Sequence, residues 1–233
     1  PEVVVCDLHP KYNSTVVAEE LGLPVLRVQH HYAHILSCMA ENDCEEKVIG
    51  VSFDGTGYGT DGTIWGGELL VADCQGFTRL GSIEPFVQVG GDISAKEGWR
   101  IAVSLIWQNM GNLEKTLDTV RKLGLCTDQE AKVLVTMAQR KINAVTSTSA
   151  GRLFDGVSAI LGIRRASTFE GEASTALEFA AEAWRKQREM QKKNPEENLK
   201  IRMSEKEDIP EGTGISEASE DERKFILNTG EIV

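Results

Sequence analysis

The stretch DGTGYGTDGTIWGGE, Asp54 to Glu68, decides the fold. It contains a GxGxxG at Gly57, Gly59 and Gly62. Such glycines serve a dinucleotide site only between a strand and a helix, where the pyrophosphate meets the helix N-terminus. Here Thr63 to Cys74 is β-branched, aromatic and glycine-containing, and reads as a strand, so the dinucleotide reading is not favoured. A P-loop fails as well, because no Gly-Lys-Ser or Gly-Lys-Thr follows. What remains is a strand ending in Asp54, a turn with glycines at 55, 57, 59 and 62, and a returning strand with Gly66 and Gly67. Backbone N–H groups in such a turn can approach an anion without a Cβ in the way. Asp54 at its base can hold a metal or orient a water. A glycine hairpin with no ligand stays open as the alternative.

Around this hairpin the pattern is α/β. VVVCDL (Val3 to Leu8) is a short β-branched run, followed by a helical YNSTVVAEELGL and a second strand, PVLRV, which together form a β-α-β unit. A helix from about His30 to Asn42 comes next, and then VIGVSFD, TIWGGELLVADC and FTRLGSIEPF as an antiparallel meander. From Trp99 to about Gln191 the apolar spacing turns helical. Lys186 to Arg223 is rich in Lys, Glu, Asp, Asn and Ser and reads as a charged, partly disordered linker, and FILN begins a further element. The expected parts are therefore 1–46, 47–185, 186–223 and 224–233.

The second constellation is QHHYAHILSCMAEN. At roughly 100° per residue, His30, His34, Ser37 and Glu41 share one arc of a helix, and Tyr32, Ile35, Leu36 and Met39 the opposite, buried one. Imidazoles at i and i+4 make a bidentate metal clamp, and Asp54 is the natural third ligand if the two segments meet. His31 points away from His30 and is the weaker candidate. The catalytic Glu of HExxH is absent, which disfavours a free-standing metallohydrolase. In SAGRLFDGVSAILGI, Gly151 opens a helix and Asp155 follows in its first turns, a place for an anion or the hydroxyls of a ribose. TFEGEAS puts Glu170 and Glu172 at another helix start, where capping is the alternative to a ligand role.

Composition bounds the partners. The 233 residues carry a formal charge of -11, against the basic surface that nucleic acid requires. Cys6, Cys38, Cys44, Cys74 and Cys126 form no CxxC pair, which fits a reducing compartment. No stretch reaches the roughly 20 apolar residues of a membrane span, and no signal-peptide pattern opens the chain. The expectation is a cytoplasmic protein that binds neither nucleic acid nor membrane. A start at Pro1, almost at once in a buried-type strand, suggests a piece of a longer polypeptide.

VVVCDLHPKYNST, VQHHYAH, DGTGYGTDGTIWGGELL, GGDISAKEGWRIA, STSAGRLFDGVSAILG and TFEGEAS, in this order, closely resemble the HypF carbamoyltransferases, maturation factors of nickel-iron hydrogenases. The likeness runs from about Pro1 to Trp184 and falls on the carboxy-terminal module, similar to the universal tRNA threonylcarbamoyl transferases. It implies an actin-like ATPase (ASKHA) two-lobe α/β fold, here a truncated fragment with both lobes incomplete, and makes the glycine turn the nucleotide phosphate hairpin. It further implies transfer of a carbamoyl group, made from carbamoyl phosphate and ATP and carried as carbamoyl-adenylate, to the C-terminal cysteine of the partner HypE. Carried over, His30, His34 and Asp54 become ligands of a divalent metal, zinc or iron. Asp54 and Arg100 become catalytic, with Arg100 holding the carbamoyl or phosphate group. Gly55, Gly57, Gly66, Gly67, Gly151, Asp155 and Glu172 become ATP/AMP contacts. The alternatives are a non-catalytic nucleotide- and partner-binding fragment, and a threonylcarbamoyl-transferring relative, against which the acidic balance argues.

Overall fold

A computed structural model describes residues 1–193 of the chain. Residues Pro1–Glu182 form one compact unit, so the expected parts 1–46 and 47–185 lie for the most part together in it. The chain opens with β1 (Val4–Asp7), α1 (Asn13–Glu20) and β2 (Val25–Val28). β1 and β2 pair in parallel, from Val4 opposite Val25 to Asp7 opposite Val28. The parallel register sets Asp7 at the same end of the pair as the exit from β2. The chain passes from there through Gln29 into α2 (His30–Glu41), and the Gln29 side chain caps that helix by accepting from the Tyr32 N–H at 2.9 Å.

The meander follows as β3 (Val48–Tyr58), β4 (Ile64–Asp73) and β5 (Gly76–Ser82). β4 pairs antiparallel with both neighbours, and the β3–β4 register slips between Phe53 and Gly57. That bulge spans residues 54–56 and re-aims the side chain of Asp54. The third expected strand is broken at Pro85, whose missing N–H cannot join a ladder: β5 ends at Ser82 and a separate β6 (Phe86–Val89) begins beyond it. β6 pairs antiparallel with β7 (Ala144–Ser147), and β7 meets the start of β4 in parallel at Ile64 opposite Ser147. β7 interrupts what reads in sequence as a purely helical half.

Helices α3 (Gly98–Met110), α4 (Leu113–Lys122) and α5 (Asp128–Arg140) enclose the larger core with β6 and α6 (Ala150–Ile160). Val89, Trp99, Val103, Ile106, Leu117, Leu134 and Val135 are buried there. Leu117 and Val120 recur at helical spacing, and a capping box between Thr127 and Glu130 starts α5. The smaller core lies under α2, where Ile35 and Met39 meet Trp65, Leu70 and Ala72 of β4. Gly50 makes this possible, since a Cβ there would lie 2.5 Å from Cγ1 of Ile35.

The last helix, α7 (Glu172–Lys193), continues through 186–193, a stretch read in sequence as linker. Glu, Lys, Arg and Gln are strong helix formers even where no apolar face is buried. The remaining linker and the element expected at 224–233 lie outside the described residues. Among the described residues no helix is long and apolar enough to cross a membrane, and all five cysteines are free.

Candidate metal centre at the root of the glycine hairpin

The structure brings His30, His34 and Asp54 together. One ligand atom from each lies within 4.8 Å of the others. Nε2 of His30 is 3.2 Å from Nε2 of His34, one helical turn on, and 2.9 Å from Oδ2 of Asp54. On its other side the same ring meets Asp7, with Nδ1 3.0 Å from Oδ2. A carboxylate only accepts, so Nδ1 carries a proton toward Asp7, and Nε2, which faces Asp54 and His34, needs a second proton or a cation. Lone pair facing carboxylate is repulsive until a cation lies between them, either a proton on Nε2 or a metal ion. Two imidazoles and one carboxylate are a donor set that suits a borderline divalent ion.

His31 points away from the His30–His34 arc, as its 100° offset places it. It is fully buried, in line with Ile35 and Met39, while Tyr32 and Leu36 are half-buried at the flanks. Gln29 Nε2 donates to Nδ1 of His31 at 3.1 Å, which makes an imidazole tolerable inside. The ring proton is then on Nε2, 3.9 Å from Oδ2 of Asp54, and both atoms are buried without a hydrogen-bond partner. Burial, with the neighbouring His30 next in weight, lowers the His31 pKa from 6.5 to about 4, although Asp54 and Glu68 oppose the shift. His31 is therefore neutral, and its N–H faces the oxygen that faces the cluster. Asp7 and Gln29 had no distinguishing signal in the sequence beyond their places at the end of one strand and just after another.

Gly57, Gly66, Gly67 and Gly151 are explained by contacts inside the protein. A Cβ on Gly57 would meet the rings of His31 and, at 2.9 Å, His30. One on Gly66 would lie 2.6 Å from the Asp54 carbonyl and 2.9 Å from Cα of Ser149, and one on Gly67 2.6 Å from the Thr148 carbonyl. Gly151 abuts the opposite side, where a Cβ would lie 2.9 Å from Cα of Gly55. Gly55 donates its N–H to Oδ1 of Asp54 at 2.6 Å. Ser149, the N-cap of α6, donates its hydroxyl to the Gly55 carbonyl at 2.7 Å and accepts from the Arg152 N–H. Behind the hairpin, fully buried Glu68 accepts from the N–H groups of Gly66 and Gly67, from Thr148 and from Arg79, whose Nε lies 2.7 Å away. The guanidinium of Arg79 also stacks 4.2 Å over the ring of Trp65.

The remaining expected residues lie apart from the histidines. Asp155 is buried beside Arg152, with Oδ2 2.9 Å from Nε, and burial raises its pKa from 3.8 to about 6 despite that charge. Its backbone carbonyl would lie 2.6 Å from a Cβ on Gly98, so α6 and the start of α3 touch there. Glu172 accepts from the Thr168 N–H at 2.6 Å and from its hydroxyl, with Arg164 3.3 Å away, and these bonds lower its pKa. Nε of Arg100 is 2.5 Å from Glu97, and its guanidinium covers Trp99 at 4.7 Å. Among the described residues no contact joins Arg100 to the histidine cluster.

Known proteins share both sequence and fold with this chain. Residues 50–221 match the family model described as carbamoyltransferase, Kae1-like domain, second subdomain, and residues 1–41 match the HypF Kae1-like domain. The probable carbamoyltransferase HypF of Methanocaldococcus jannaschii is 40% identical over 184 residues, 77% of this chain and 24% of the relative. The carbamoyltransferase HypF of Synechocystis is 42% identical over 191 residues, covering 76% and 25%. A HypF homolog of Cupriavidus necator is 40% identical over 185 residues, covering 77% and 46%. The chain thus spans from a quarter to just under half of the length of these relatives. A crystal structure of full-length HypF in the phosphate- and nucleotide-bound form matches with a TM-score of 0.69 at 40% identity, over 76% of this chain and 23% of that one. The T. kodakarensis HypF structure matches with a TM-score of 0.68 at 31% identity, over 75% and 24%. The α/β, actin-like fragment expected from the sequence agrees with these matches.

Proposed function

The chain belongs to the HypF carbamoyltransferase family, whose Kae1-like domain its residues 1–41 and 50–221 match, and on that premise we propose that it is the carbamoyl-transfer module of a cytoplasmic maturation enzyme. The observation that carries the proposal is the convergence of His30, His34 and Asp54 within 4.8 Å at the root of the hairpin. These three would hold a divalent metal, zinc or iron. A bound ion supplies positive charge that polarises an acyl or phosphate oxygen and favours departure of AMP. The protein's part is to keep that place prepared. Asp7 sets the tautomer of His30, buried His31 points its N–H at Asp54, and the bulge in β3 turns the Asp54 carboxylate to the helix.

The nucleotide part of carbamoyl-adenylate would lie where the hairpin meets the N-terminus of α6, whose amide dipoles favour an anion. Gly57, Gly66, Gly67 and Gly151 then act by letting hairpin, histidines and helix close on one another, and Gly55 is left at the junction. Asp155 and Glu172 would face the adenosine from α6 and from the start of α7. Arg100, engaged by Glu97 and Trp99, is not part of the proposed site. The acceptor would be the C-terminal cysteine of a HypE-type partner, and ATP and carbamoyl phosphate the source of the group. The separation of Arg100 from the histidine cluster favours, as a second reading, a nucleotide- and partner-binding fragment that does not turn over alone.

The test measures metal content by elemental analysis and AMP or ATP binding by calorimetry, in the wild-type chain and in the double variant His30→Ala, His34→Ala. Stoichiometric metal that the variant lacks, with nucleotide bound by the wild type, supports the site. Neither metal nor nucleotide in the wild type sinks it for this chain. Adding the rest of a HypF chain should restore transfer with the wild type and not with the double variant. If transfer is restored equally by both, the histidines are not the centre.

A further inference from the structure

We propose that Asp7 is the positioning residue of the candidate metal centre, fixing His30 as its preset ligand. The proposal rests on the metal reading above and deepens it, since it separates the two histidines that the sequence presents as equals. The connection is built into the backbone. Asp7 is the last residue of β1 and pairs with Val28, the last of β2, and only Gln29 separates Val28 from His30. No flexible loop intervenes between the carboxylate and the imidazole.

Each oxygen of the carboxylate has its own partner. Oδ1 accepts from the His9 N–H at 2.7 Å, and Oδ2 accepts from Nδ1 of His30 at 3.0 Å. The side chain is thereby held from its own strand end and cannot swing toward the metal position. It also lies on the Nδ1 side of the ring, away from Nε2, so it is not a ligand; the convergent ligand atoms belong to His30, His34 and Asp54. A carboxylate bonded to the far nitrogen fixes tautomer and ring plane and raises the basicity of the ligating nitrogen. His34 is exposed, and among the described residues its Nδ1 has no hydrogen-bond partner. Its ring has no such carboxylate anchor, so His30 defines the position and His34 completes it.

The test compares the wild-type 233-residue chain with Asp7→Asn and Asp7→Ala, using zinc as the probe. Asp7→Asn keeps an oxygen for the His9 N–H and serves where Asp7→Ala loosens the strand end; circular dichroism monitors the fold of each. Zinc affinity, measured by competition with a chromogenic chelator, should fall about 10- to 100-fold in Asp7→Ala and less in Asp7→Asn. In the zinc-loaded protein, 1H–15N NMR should show the His30 Nδ1–H as a slowly exchanging, hydrogen-bonded proton in the wild type and lose that protection in Asp7→Ala. A folded Asp7→Ala protein that binds zinc as the wild type does, or keeps that proton protected, overturns the role of Asp7 alone. A wild type that takes up no zinc overturns the metal reading and Asp7's role with it.

Discussion

Gly66→Ala tests whether the glycines of the hairpin are packing residues. Its added Cβ would lie 2.6 Å from the carbonyl oxygen of Asp54 and 2.9 Å from Cα of Ser149, where ordinary contact begins at 3.4 Å. Both neighbours are backbone, so no rotamer change relieves the overlap of about 0.8 Å at the oxygen, and either β4 or the start of α6 must move. Overpacking of this kind costs about 1–3 kcal/mol, and the doubly blocked position places Gly66→Ala near the upper end. At ~2–4 °C per kcal/mol for a chain of this size, Tm should fall by about 6–12 °C. Gly81→Ala is the control, because a Cβ there meets nothing within 4 Å and its backbone is not in the left-handed region. That variant should be neutral or gain up to about 1 kcal/mol from a stiffer unfolded chain. The assay is urea denaturation and thermal melting of both variants beside the wild type. Equal midpoints for Gly66→Ala and Gly81→Ala would refute the packing argument, and the glycine at 66 would then need a ligand to explain it.

Arg79→Ala leaves the fully buried Glu68 carboxylate without its cation and should cost about 3 kcal/mol by urea denaturation, whereas a surface pair of the same length costs less than 1. Asp155 is a buried carboxylate whose folded pKa, about 6, lies above its unfolded value. Its contribution to stability is therefore fully present below the unfolded pKa near 4 and is lost as pH rises through 6. Relative to the wild type, Asp155→Asn should gain about 2 kcal/mol between pH 4.5 and pH 7.5 in urea midpoints, and a parallel pair of profiles would contradict the assignment. β3 is an edge strand of its sheet with Ile49, Val51 and Phe53 exposed, so the isolated chain should self-associate with concentration. Val51→Lys should suppress that association in sedimentation velocity, and a wild type that stays monomeric at high concentration would contradict it.

The strands of the meander were legible because each carries a long β-rich run bounded by glycine, and the histidine helix because its pattern holds for three turns. β7 was not legible: AVTS is four residues long, lies between helices, and owes its place to β6 and to the single pairing with Ile64. The place of His31 follows from its spacing to Ile35 and Met39, but its bond to Gln29 was not legible, since nothing in the local pattern marks Gln29 as its partner. His30, His34 and Asp54 were readable as a set, the first two from helical spacing and the third from its place at a strand end. Asp7 was not, because its bond to His30 crosses 23 positions and depends on the parallel register of β1 and β2.

The same register explains why the glycine stretch and the histidine stretch belong to one device. α2 is held at two ends: Ile35 enters the space left by Gly50 on β3, and Gln29 donates to the Tyr58 carbonyl at the far end of the same strand, 3.1 Å away. Between those two points β3 carries its bulge, Asp54 and Gly57, directly under His30 and His31. α6 presses on the other side of the hairpin through Ser149 and Gly151. Gly57 lets a backbone approach the rings of His30 and His31, and Gly66 and Gly151 let two backbones meet, around the 2.9 Å between Asp54 and His30. A larger residue at any of these three would press on the segment that carries Asp54 or on the histidines themselves, so these glycines encode the geometry of the metal position as much as access to a phosphate.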